Sequence, residues 1–556
     1  MPRQRANKGK QKTATDRATN ESAANGNKGS AIDDVMSMVH GPKPEKVFEE
    51  SINMFQEMFK IVVGVSDIAP DEKDKRFRDA TWSSHPYYER LGQVYLAWSK
   101  ALDNLAESHD NWQIRERAKF GTDIFTSMMA PSNTLFGNPE ALKRAFETGG
   151  SSIVDGMLNY LNDLAHNRGM PSQVDKSPFR VGENLATTPG EVVFRSDVLE
   201  LIQYRAQTVE VVARPLLIIP PQIGRFYFLD MGPGRSMAEY ALDQGLQIFV
   251  VSWRNPTAEQ AEWNLDTYVA AILEATEVVC KICGTADLNT MGFCAGGITM
   301  TAMLGYLAAT GDARVHAAAY AVTLLDLECE ATVGALRTKS LLEMAKQQSR
   351  AKGVITGEEL GMLFNWMRPN DLVWSYWVNN YLMGKKPPSF DILAWNADTT
   401  NLPAALHADF MEIFQHNSLC RPGAWKVMGV PVDISQIFID TFITGGLSDH
   451  LTPWQGCYRT TQLLGGDSTF VLSSSGHIAS LINPPGNPKS SYMVGGEPAP
   501  DPDAWAATAV KHSGSWWEYW SEWLKQRSGA MKPAPDEPGS EAYRAIEPAP
   551  GTYVHS

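Results

Sequence analysis

The pattern of hydrophobic positions changes near residue 190. Before it, apolar residues recur every three or four positions, as at Met54, Phe55, Met58 and Phe59, which predicts helices. After it, short apolar runs alternate with turns and helical stretches, which predicts a mainly parallel sheet covered by helices on both faces. The predicted strands are 192–194, 216–219, 248–251, 288–291, 317–322, 437–442 and 470–472.

Two aromatic segments interrupt or follow this alternation. Residues 327–430 are helical and rich in Trp and Tyr, and they predict an insertion over the sheet, either core packing or a lid that lines an apolar channel. Near the end, Trp516, Trp517, Trp520 and Trp523 form one helical stripe, which packs on the body or contacts lipid or polymer. After Gly529, frequent Pro, Ala and Gly predict an extended tail.

Composition limits the possible partners. Among 556 residues, 49 are Lys or Arg and 63 are Asp or Glu, so the net charge is −14, which argues against nucleic acid as a main partner.

Residues 1–30 are basic and polar, and we expect a disordered tail that aids solubility or contacts an anionic surface. No apolar run reaches the ~18 residues of a transmembrane span and no secretory signal is evident, so we expect a cytoplasmic protein.

These patterns predict a basic tail over 1–30, a helical N-terminal domain over 31–185 and a catalytic domain over 186–556, with a cap inserted at about 327–430. Six cysteines are too few for a disulfide framework. Cys280 and Cys283 form a C-x-x-C pair without the second pair or the histidines of a zinc site, so we interpret them as structural, and we expect no metal.

The clearest chemical signal is a predicted strand that runs into Gly292-Phe293-Cys294-Ala295-Gly296, followed by a helical pattern. This is the strand–turn–helix context of a nucleophile elbow, with Cys in the usual place of Ser. The next backbone N–H, that of Ala295, is expected to face a developing oxyanion. Cys294 is therefore the predicted nucleophile.

The acid and the base of such a triad follow in chain order, each after a later strand. Asp449 and His477 occupy these places, so we expect His477 to accept the thiol proton while Asp449 orients the imidazole. His450 competes for the role of base, and Asp440 competes for the role of acid. A second oxyanion donor is expected after strand 216–219, from the N–H of Ile223 or of Gln222.

The chain resembles the single-subunit polyhydroxyalkanoate synthases of classes I and II, most of all the medium-chain class II enzymes, over about residues 40–555. The motifs that carry the resemblance are Pro220-Pro221-Gln222-Ile223, Val251-Ser252-Trp253-Arg254-Asn255-Pro256, Gly292-Phe293-Cys294-Ala295-Gly296-Gly297, Trp395-Asn396-Ala397-Asp398-Thr399-Thr400-Asn401, Ser448-Asp449-His450 and Ser475-Gly476-His477. The resemblance implies an α/β-hydrolase fold with an inserted cap and a helical N-terminal domain.

The resemblance also implies polymerisation of (R)-3-hydroxyacyl-CoA into polyester with release of CoA, and no separate cofactor. The catalytic Cys, Asp and His of the family match Cys294, Asp449 and His477. The implied partners are a second copy of the chain, the growing polyester, the granule surface and granule-associated proteins. Whether Asp449 orients His477 or activates the incoming hydroxyl stays open at this point.

Two other functions remain compatible with the sequence. A cysteine-dependent hydrolase, either a thioesterase or a polyester depolymerase, could use the same fold, because fold alone does not determine function. A non-catalytic granule-surface protein could use the aromatic helices and the basic tail. Product analysis with 3-hydroxyacyl-CoA separates these possibilities from the synthase.

Overall fold

The computed structural model describes residues 41–556, so the basic tail predicted over 1–30 lies outside the described residues. The N-terminal part is helical, and the Asn138 side chain caps the helix that starts at Pro139 by accepting a hydrogen bond from the N–H of Ala141 at 3.0 Å. The α-helices here are Pro44–Val63, Thr81–Ser84, Pro86–Glu107, Trp112–Met128, Pro139–Glu147 and Ser151–His166.

A sheet of eleven strands forms the centre of the following part. The strands are β1 (Gly190–Arg195), β2 (Leu199–Tyr204), β4 (Leu216–Ile219), β5 (Ile248–Trp253), β6 (Leu288–Phe293), β7 (Val315–Ala321), β12 (Asp440–Gly446), β13 (Ser468–Ser473), β14 (Ser491–Val494), β15 (Val510–Ser513) and β17 (Glu547–Pro548). Their order in the sheet is β15-β14-β13-β12-β7-β6-β4-β5-β2-β1-β17. The six central strands, from β13 to β5, run parallel, while the strands outside them pair antiparallel.

Helices cover both faces of this sheet, and two large apolar clusters fill the spaces between helices and sheet. The α-helices of this part are Met237–Asp243, Leu265–Cys283, Ala295–Thr310, Trp454–Leu463, His477–Leu481, Pro502–Thr508 and Trp516–Lys525. Three two-stranded ladders complete it: β3 (Glu210–Val212) with β16 (Met531–Pro533), β8 (Val354–Ile355) with β9 (Leu402–Pro403), and β10 (Lys426–Val427) with β11 (Val430–Pro431). The 3₁₀ turns are Lys75–Phe77, Pro131–Asn133, Phe226–Leu229, Ala258–Gln260, Ser418–Cys420, Ile434–Gln436 and Tyr553–His555.

Between β7 and β12 the chain leaves the sheet and forms mostly helices. The α-helices are Thr332–Ala335, Lys339–Lys352, Gly357–Trp366, Ser375–Trp377, Asp391–Asn396 and Ala404–His416, and two π-helical turns lie at Asn370–Trp374 and Val378–Leu382. We call this segment the cap. It contacts the N-terminal helices directly, because Arg144 Nε donates to the carbonyl of Met383 at 2.9 Å and Tyr381 donates to Asp163 at 2.7 Å.

The bounds predicted for the strand at 437–442 are wrong, because β12 starts three residues later, at Asp440, and ends four residues later, at Gly446. Phe438, which contributed to the apolar run, is 69% exposed. Gly445 and Gly446 are the last residues of the strand. The turn that carries Asp449 therefore begins directly after Gly446.

The tryptophan stripe near the C-terminus packs on the body. Trp516, Trp517 and Trp520 are at most 1% exposed and Trp523 is 7% exposed, and all four belong to one of the two apolar clusters. The indole N–H groups of Trp516 and Trp517 donate to the carbonyls of Ser480 and Leu481. This helix therefore supports the short helix that begins at His477.

The chain after Gly529, expected to be an extended tail, returns to the sheet. β16 pairs with β3, and β17 pairs with β1 at the sheet edge. The buried carboxylate of Glu200 accepts hydrogen bonds from the backbone N–H groups of Thr552 and Tyr553 at 3.1 and 2.9 Å. The last residues are thus held against β2.

Candidate active site

Cys294 is the single residue between the end of β6 and the start of the helix Ala295–Thr310. Its φ of 48° and ψ of −121° place a non-glycine residue in a strained region of backbone space, as a nucleophile elbow requires. A Cβ on Gly292 would lie 2.6 Å from the Cα of Gly297, so the strand and the helix approach too closely for any side chain at that position. The glycines of the motif therefore permit the sharp turn that exposes the sulfur.

Gly296 brings the start of this helix against the end of β4. A Cβ there would lie 2.3 Å from the carbonyl oxygen of Ile219 and 2.5 Å from that of Pro220. The first N–H groups of a helix have no partner within the helix and carry partial positive charge. The start of this helix therefore lies against the loop after β4, where the second oxyanion donor was predicted.

His477 and Asp449 lie at the ends of neighbouring parallel strands, β13 and β12. His477 Nδ1 is 2.7 Å from Asp449 Oδ2, and it is the donor because an ionised carboxylate can only accept. Burial disfavours a charged imidazole, but the charge of Asp449, its hydrogen bond and the interaction with Cys294 together raise the pKa of His477 to about 10. The structure therefore brings Cys294, His477 and Asp449 together.

The carboxylate of Asp449 is fully enclosed and accepts three further hydrogen bonds. Its Oδ1 receives the backbone N–H groups of Leu451 and Thr452, at 2.9 and 3.0 Å, and its Oδ2 receives the Thr452 hydroxyl at 2.7 Å. Burial opposes ionisation, yet the positive His477 and the Thr452 donors lower the pKa of Asp449. Asp449 is held as a carboxylate.

Thr452 was not anticipated from the sequence. Its Oγ1 also lies 3.2 Å from His477 Nδ1, so one hydroxyl contacts both partners of the pair. Its position three residues after Asp449 in a turn is a pattern in which an Asp side chain often accepts local backbone and hydroxyl donors. That spacing was the available signal.

The two competing residues lie elsewhere. His450 Nδ1 is buried with no hydrogen-bond partner among residues 41–556, and burial and the charge of Arg368 lower the pKa of His450 to about 4. Asp440 is the first residue of β12, at the opposite end of the strand from Asp449, and it pairs with Arg527 at 2.9 Å. Within residues 41–556, neither side chain is hydrogen-bonded to the side chain of Asp449 or His477.

The loop after β4 is clamped from several sides. The Thr400 hydroxyl, from the cap, donates to the carbonyl of Gln222 at 2.9 Å and accepts the N–H of Gly224 at 2.7 Å. The indole of Trp253 donates to the carbonyl of Pro220 at 2.9 Å. The N–H of Gly224 is thereby occupied, so Ile223 and Gln222 remain the candidate donors on this loop.

The other five cysteines carry no disulfide, and Cys294 is also a free thiol. Burial raises the pKa of Cys283 to about 12, and burial also raises the pKa of Cys280. Neither side chain of the C-x-x-C pair is held as a reactive thiolate, in agreement with the structural interpretation.

Within residues 41–556, no three His, Cys, Asp or Glu side chains cluster in a way that could hold a metal ion. No helix in this part of the chain combines the length and the hydropathy that a membrane crossing needs.

Comparison with known proteins identifies the family. A family model described as poly-beta-hydroxybutyrate polymerase N-terminus matches residues 73–241, and one described as alpha/beta hydrolase fold matches residues 215–484. Poly(3-hydroxyalkanoate) polymerase 1 of Ectopseudomonas oleovorans is 50% identical over 500 residues, which cover 90% of this chain and 89% of that protein. The chain belongs to the poly(3-hydroxyalkanoate) polymerase family.

A second polymerase relative, from Cupriavidus necator, is 39% identical over 86% of this chain and 83% of its own length. These comparisons confirm the resemblance and the α/β-hydrolase fold. They also confirm the expected class of enzyme, a poly(3-hydroxyalkanoate) polymerase and hence an acyltransferase. A solved structure of a soluble monoglyceride lipase variant from Saccharomyces cerevisiae covers 64% of this chain and 99% of its own, at 11% identity and a TM-score of 0.37.

Proposed function

We propose that this polymerase converts (R)-3-hydroxyacyl-CoA into polyester and CoA through a thioester on Cys294. One observation carries the proposal: a cysteine on a strained turn interacts with a histidine whose Nδ1 donates to a buried carboxylate. This arrangement activates a sulfur nucleophile and holds a base in a defined tautomer.

Acylation begins when His477 Nε2 accepts the thiol proton of Cys294 and the sulfur attacks the thioester carbonyl, so that the carbonyl oxygen becomes an oxyanion. The N–H of Ala295 and that of Ile223 or Gln222 are the proposed donors to this oxyanion. The tetrahedral intermediate then expels the CoA sulfur, which takes the proton from His477 Nε2 and leaves as the thiol. The acyl group remains on Cys294 as a thioester.

Elongation forms an ester from this thioester. The 3-hydroxyl of a second unit gives its proton to His477 and attacks the carbonyl on Cys294, so that a C–O bond forms, the C–S bond breaks and the thiol is restored. Because the Asp449 carboxylate already accepts four hydrogen bonds and is fully enclosed, we assign it the orienting role and assign the hydroxyl proton to His477.

The acyl-enzyme must avoid water for the chain to grow. The cap contributes Thr400 to the clamp on the loop after β4, and it also contributes Trp395, whose indole N–H donates to the carbonyl of Arg225 at 2.8 Å. We propose that the cap shields the acyl-enzyme in this way, and that the reaction needs no cofactor besides the CoA carried by the substrate. Retention of activity after dialysis against a chelator is the expected result.

We further propose that the enzyme acts as a homodimer at the surface of polymer granules, in contact with their associated proteins. The helix Ser151–His166 supports a contact with apolar polymer, because Val154, Leu158 and Leu161 are 60%, 59% and 52% exposed. Changing these three residues to Gln should reduce co-sedimentation with polymer granules, and an equilibrium sedimentation experiment tests the dimer.

The decisive experiment supplies C4 to C10 3-hydroxyacyl-CoA and measures CoA release together with polymer and free acid. The polymerase should release CoA and form polyester, while Cys294→Ala should do neither and Cys420→Ala should match the wild type. Free hydroxy acid without polymer would favour the hydrolase, and full CoA release by Cys294→Ala would refute the role of Cys294.

A further inference from the structure

We propose that a polar groove between the N-terminal region and the cap binds the phosphorylated adenosine end of the acyl-CoA substrate. We call it the interdomain groove; its walls are residues 73–79 and 132–140 on one side and residues 370–383 on the other. This inference rests on the proposed function, since it concerns the same substrate. The groove is a cavity of about 740 Å³, large enough for a nucleotide.

Most of the carboxylates that face the groove are already neutralised. Asp74 pairs with Arg76 at 2.8 Å, and Asp79 pairs with Lys143 at 2.8 Å. Asp371 is paired with Arg368. These pairs contribute little net charge to the groove.

Three cations at the rim remain available to a ligand. Lys73 and Arg78 have no carboxylate within 4.0 Å in the described part of the chain, and Lys75 is held loosely, 4.0 Å from Asp371. Glu140 is a wall carboxylate that also lacks an ion-pair partner in residues 41–556. The unpaired groups are therefore predominantly positive on a protein whose net charge is −14, which suits a phosphorylated ligand.

The groove also contains unused hydrogen-bonding groups and an aromatic surface. The indole nitrogen of Trp374 and the hydroxyl of Ser132 are both buried without a hydrogen-bond partner within residues 41–556, and Ser132 is only 2% exposed. Buried polar atoms are normally satisfied, so a ligand that hydrogen-bonds to them explains their state. An indole ring is also a surface on which a purine base can stack. Cations, an aromatic ring and unsatisfied polar atoms together match phosphorylated adenosine.

The groove lies on the same inserted segment that contacts the active-site loop. It borders the π-helical turn Asn370–Trp374 of the cap, and the cap also supplies Thr400 and Trp395 to the loop after β4. In acyl-CoA the nucleotide and the thioester lie at opposite ends of the pantetheine arm. The proposed binding mode places one end in the interdomain groove and the other at Cys294.

The test compares two substrates that differ only in the nucleotide, 3-hydroxyacyl-CoA and the corresponding 3-hydroxyacyl-pantetheine thioester. The variant is Lys73→Glu with Arg78→Glu, and the charge-matched control is Lys426→Glu with Lys511→Glu, two exposed lysines on β10 and β15 that do not line the groove. We expect the groove variant to lower the ratio of kcat/KM for the CoA substrate to kcat/KM for the pantetheine substrate at least about tenfold. The control should keep the wild-type ratio.

A second measurement uses adenosine 3′,5′-bisphosphate as the probe. It should inhibit the wild type competitively against acyl-CoA, with an inhibition constant that rises at least about tenfold in the groove variant and rises with added salt. An unchanged substrate ratio, or an inhibition constant that the groove variant does not alter, would overturn the groove as the nucleotide site while the proposed function stands. A wild type that turns over neither substrate would overturn both proposals.

Discussion

Replacing Thr452 with valine removes one hydrogen bond from the proposed triad and leaves the volume and the backbone in place. The hydroxyl donates to Asp449 Oδ2 at 2.7 Å and lies 3.2 Å from His477 Nδ1. Valine cannot donate, so Oδ2 would keep His477 as its one remaining donor among the described residues. The change therefore acts on the charge of the Asp449–His477 pair.

The expected magnitude follows from the type of bond. A hydrogen bond to a charged group contributes about 1.5–3 kcal/mol, and the lower end applies because Asp449 keeps three other donors. We expect the free energy of unfolding at pH 7 to fall by about 1.5 kcal/mol. If all of this free energy acted on protonation of the pair, the alkylation rate of Cys294 at pH 7 would fall by at most about tenfold.

The assay measures the rate at which iodoacetamide alkylates Cys294 as a function of pH. Urea unfolding measures the stability of the same proteins. Thr452→Ser is the matched control: it keeps the hydroxyl and loses a buried methyl, so it should lose about 1 kcal/mol of stability and keep the wild-type alkylation profile. A Thr452→Val protein with the wild-type profile and stability would refute the reasoning, because the hydroxyl would then contribute nothing to the pair.

Three further predictions test the elbow, the acid and the C-terminal helix. Gly296→Ala places a methyl 2.3 Å from the last carbonyl oxygen of β4 and should slow CoA release by about 100-fold. The control, Gly305→Ala on the same helix, places a methyl 3.2 Å from its nearest contact, a side chain, and should release CoA at close to the wild-type rate. Equal rates for the two variants would contradict this prediction. Asp449→Asn should lower the pKa of His477, since burial then dominates, and alkylation of the active thiol at pH 7 should slow; an unchanged rate would remove Asp449 from the triad. The free energy of unfolding of the wild type should exceed that of this variant by its full amount between about pH 4 and 6.5. This difference should be lost as the pH rises through about 10, and urea unfolding at a series of pH values measures it. Trp520→Ala should lower the free energy of unfolding by about 3–5 kcal/mol, and a loss below about 1 kcal/mol would show that the stripe is not core.

The sequence predicts the bounds of a central parallel strand correctly where residues that end a strand, such as proline, lie on both sides of an apolar run. β4 was predicted with its observed bounds, because four apolar residues stand between two prolines. At 437–442 the apolar run was misleading, since Phe438 is exposed and the buried strand continues into Thr444 and two glycines. Apolarity alone does not distinguish these cases.

Elements that depend on pairing rather than on apolarity were missed. All four residues of β15 are exposed, so this edge strand has no hydrophobic signal and forms because β14 offers it backbone partners. The proposed triad was recognisable because its residues follow strand ends in a known order. The contact of Thr452 with His477 and the Thr400 clamp depend on distances across the fold, which chain spacing does not reveal.

The most direct test of the proposed function is to identify the residue that carries the acyl group. The enzyme is mixed with 3-hydroxyacyl-CoA, quenched in acid within the first turnover and digested, and the peptides are analysed by mass spectrometry. We predict one CoA released per active site in the burst and a 3-hydroxyacyl mass on the peptide that contains Cys294, both absent in Cys294→Ala. An acyl mass on another residue, or a burst that survives in Cys294→Ala, would contradict the thioester mechanism.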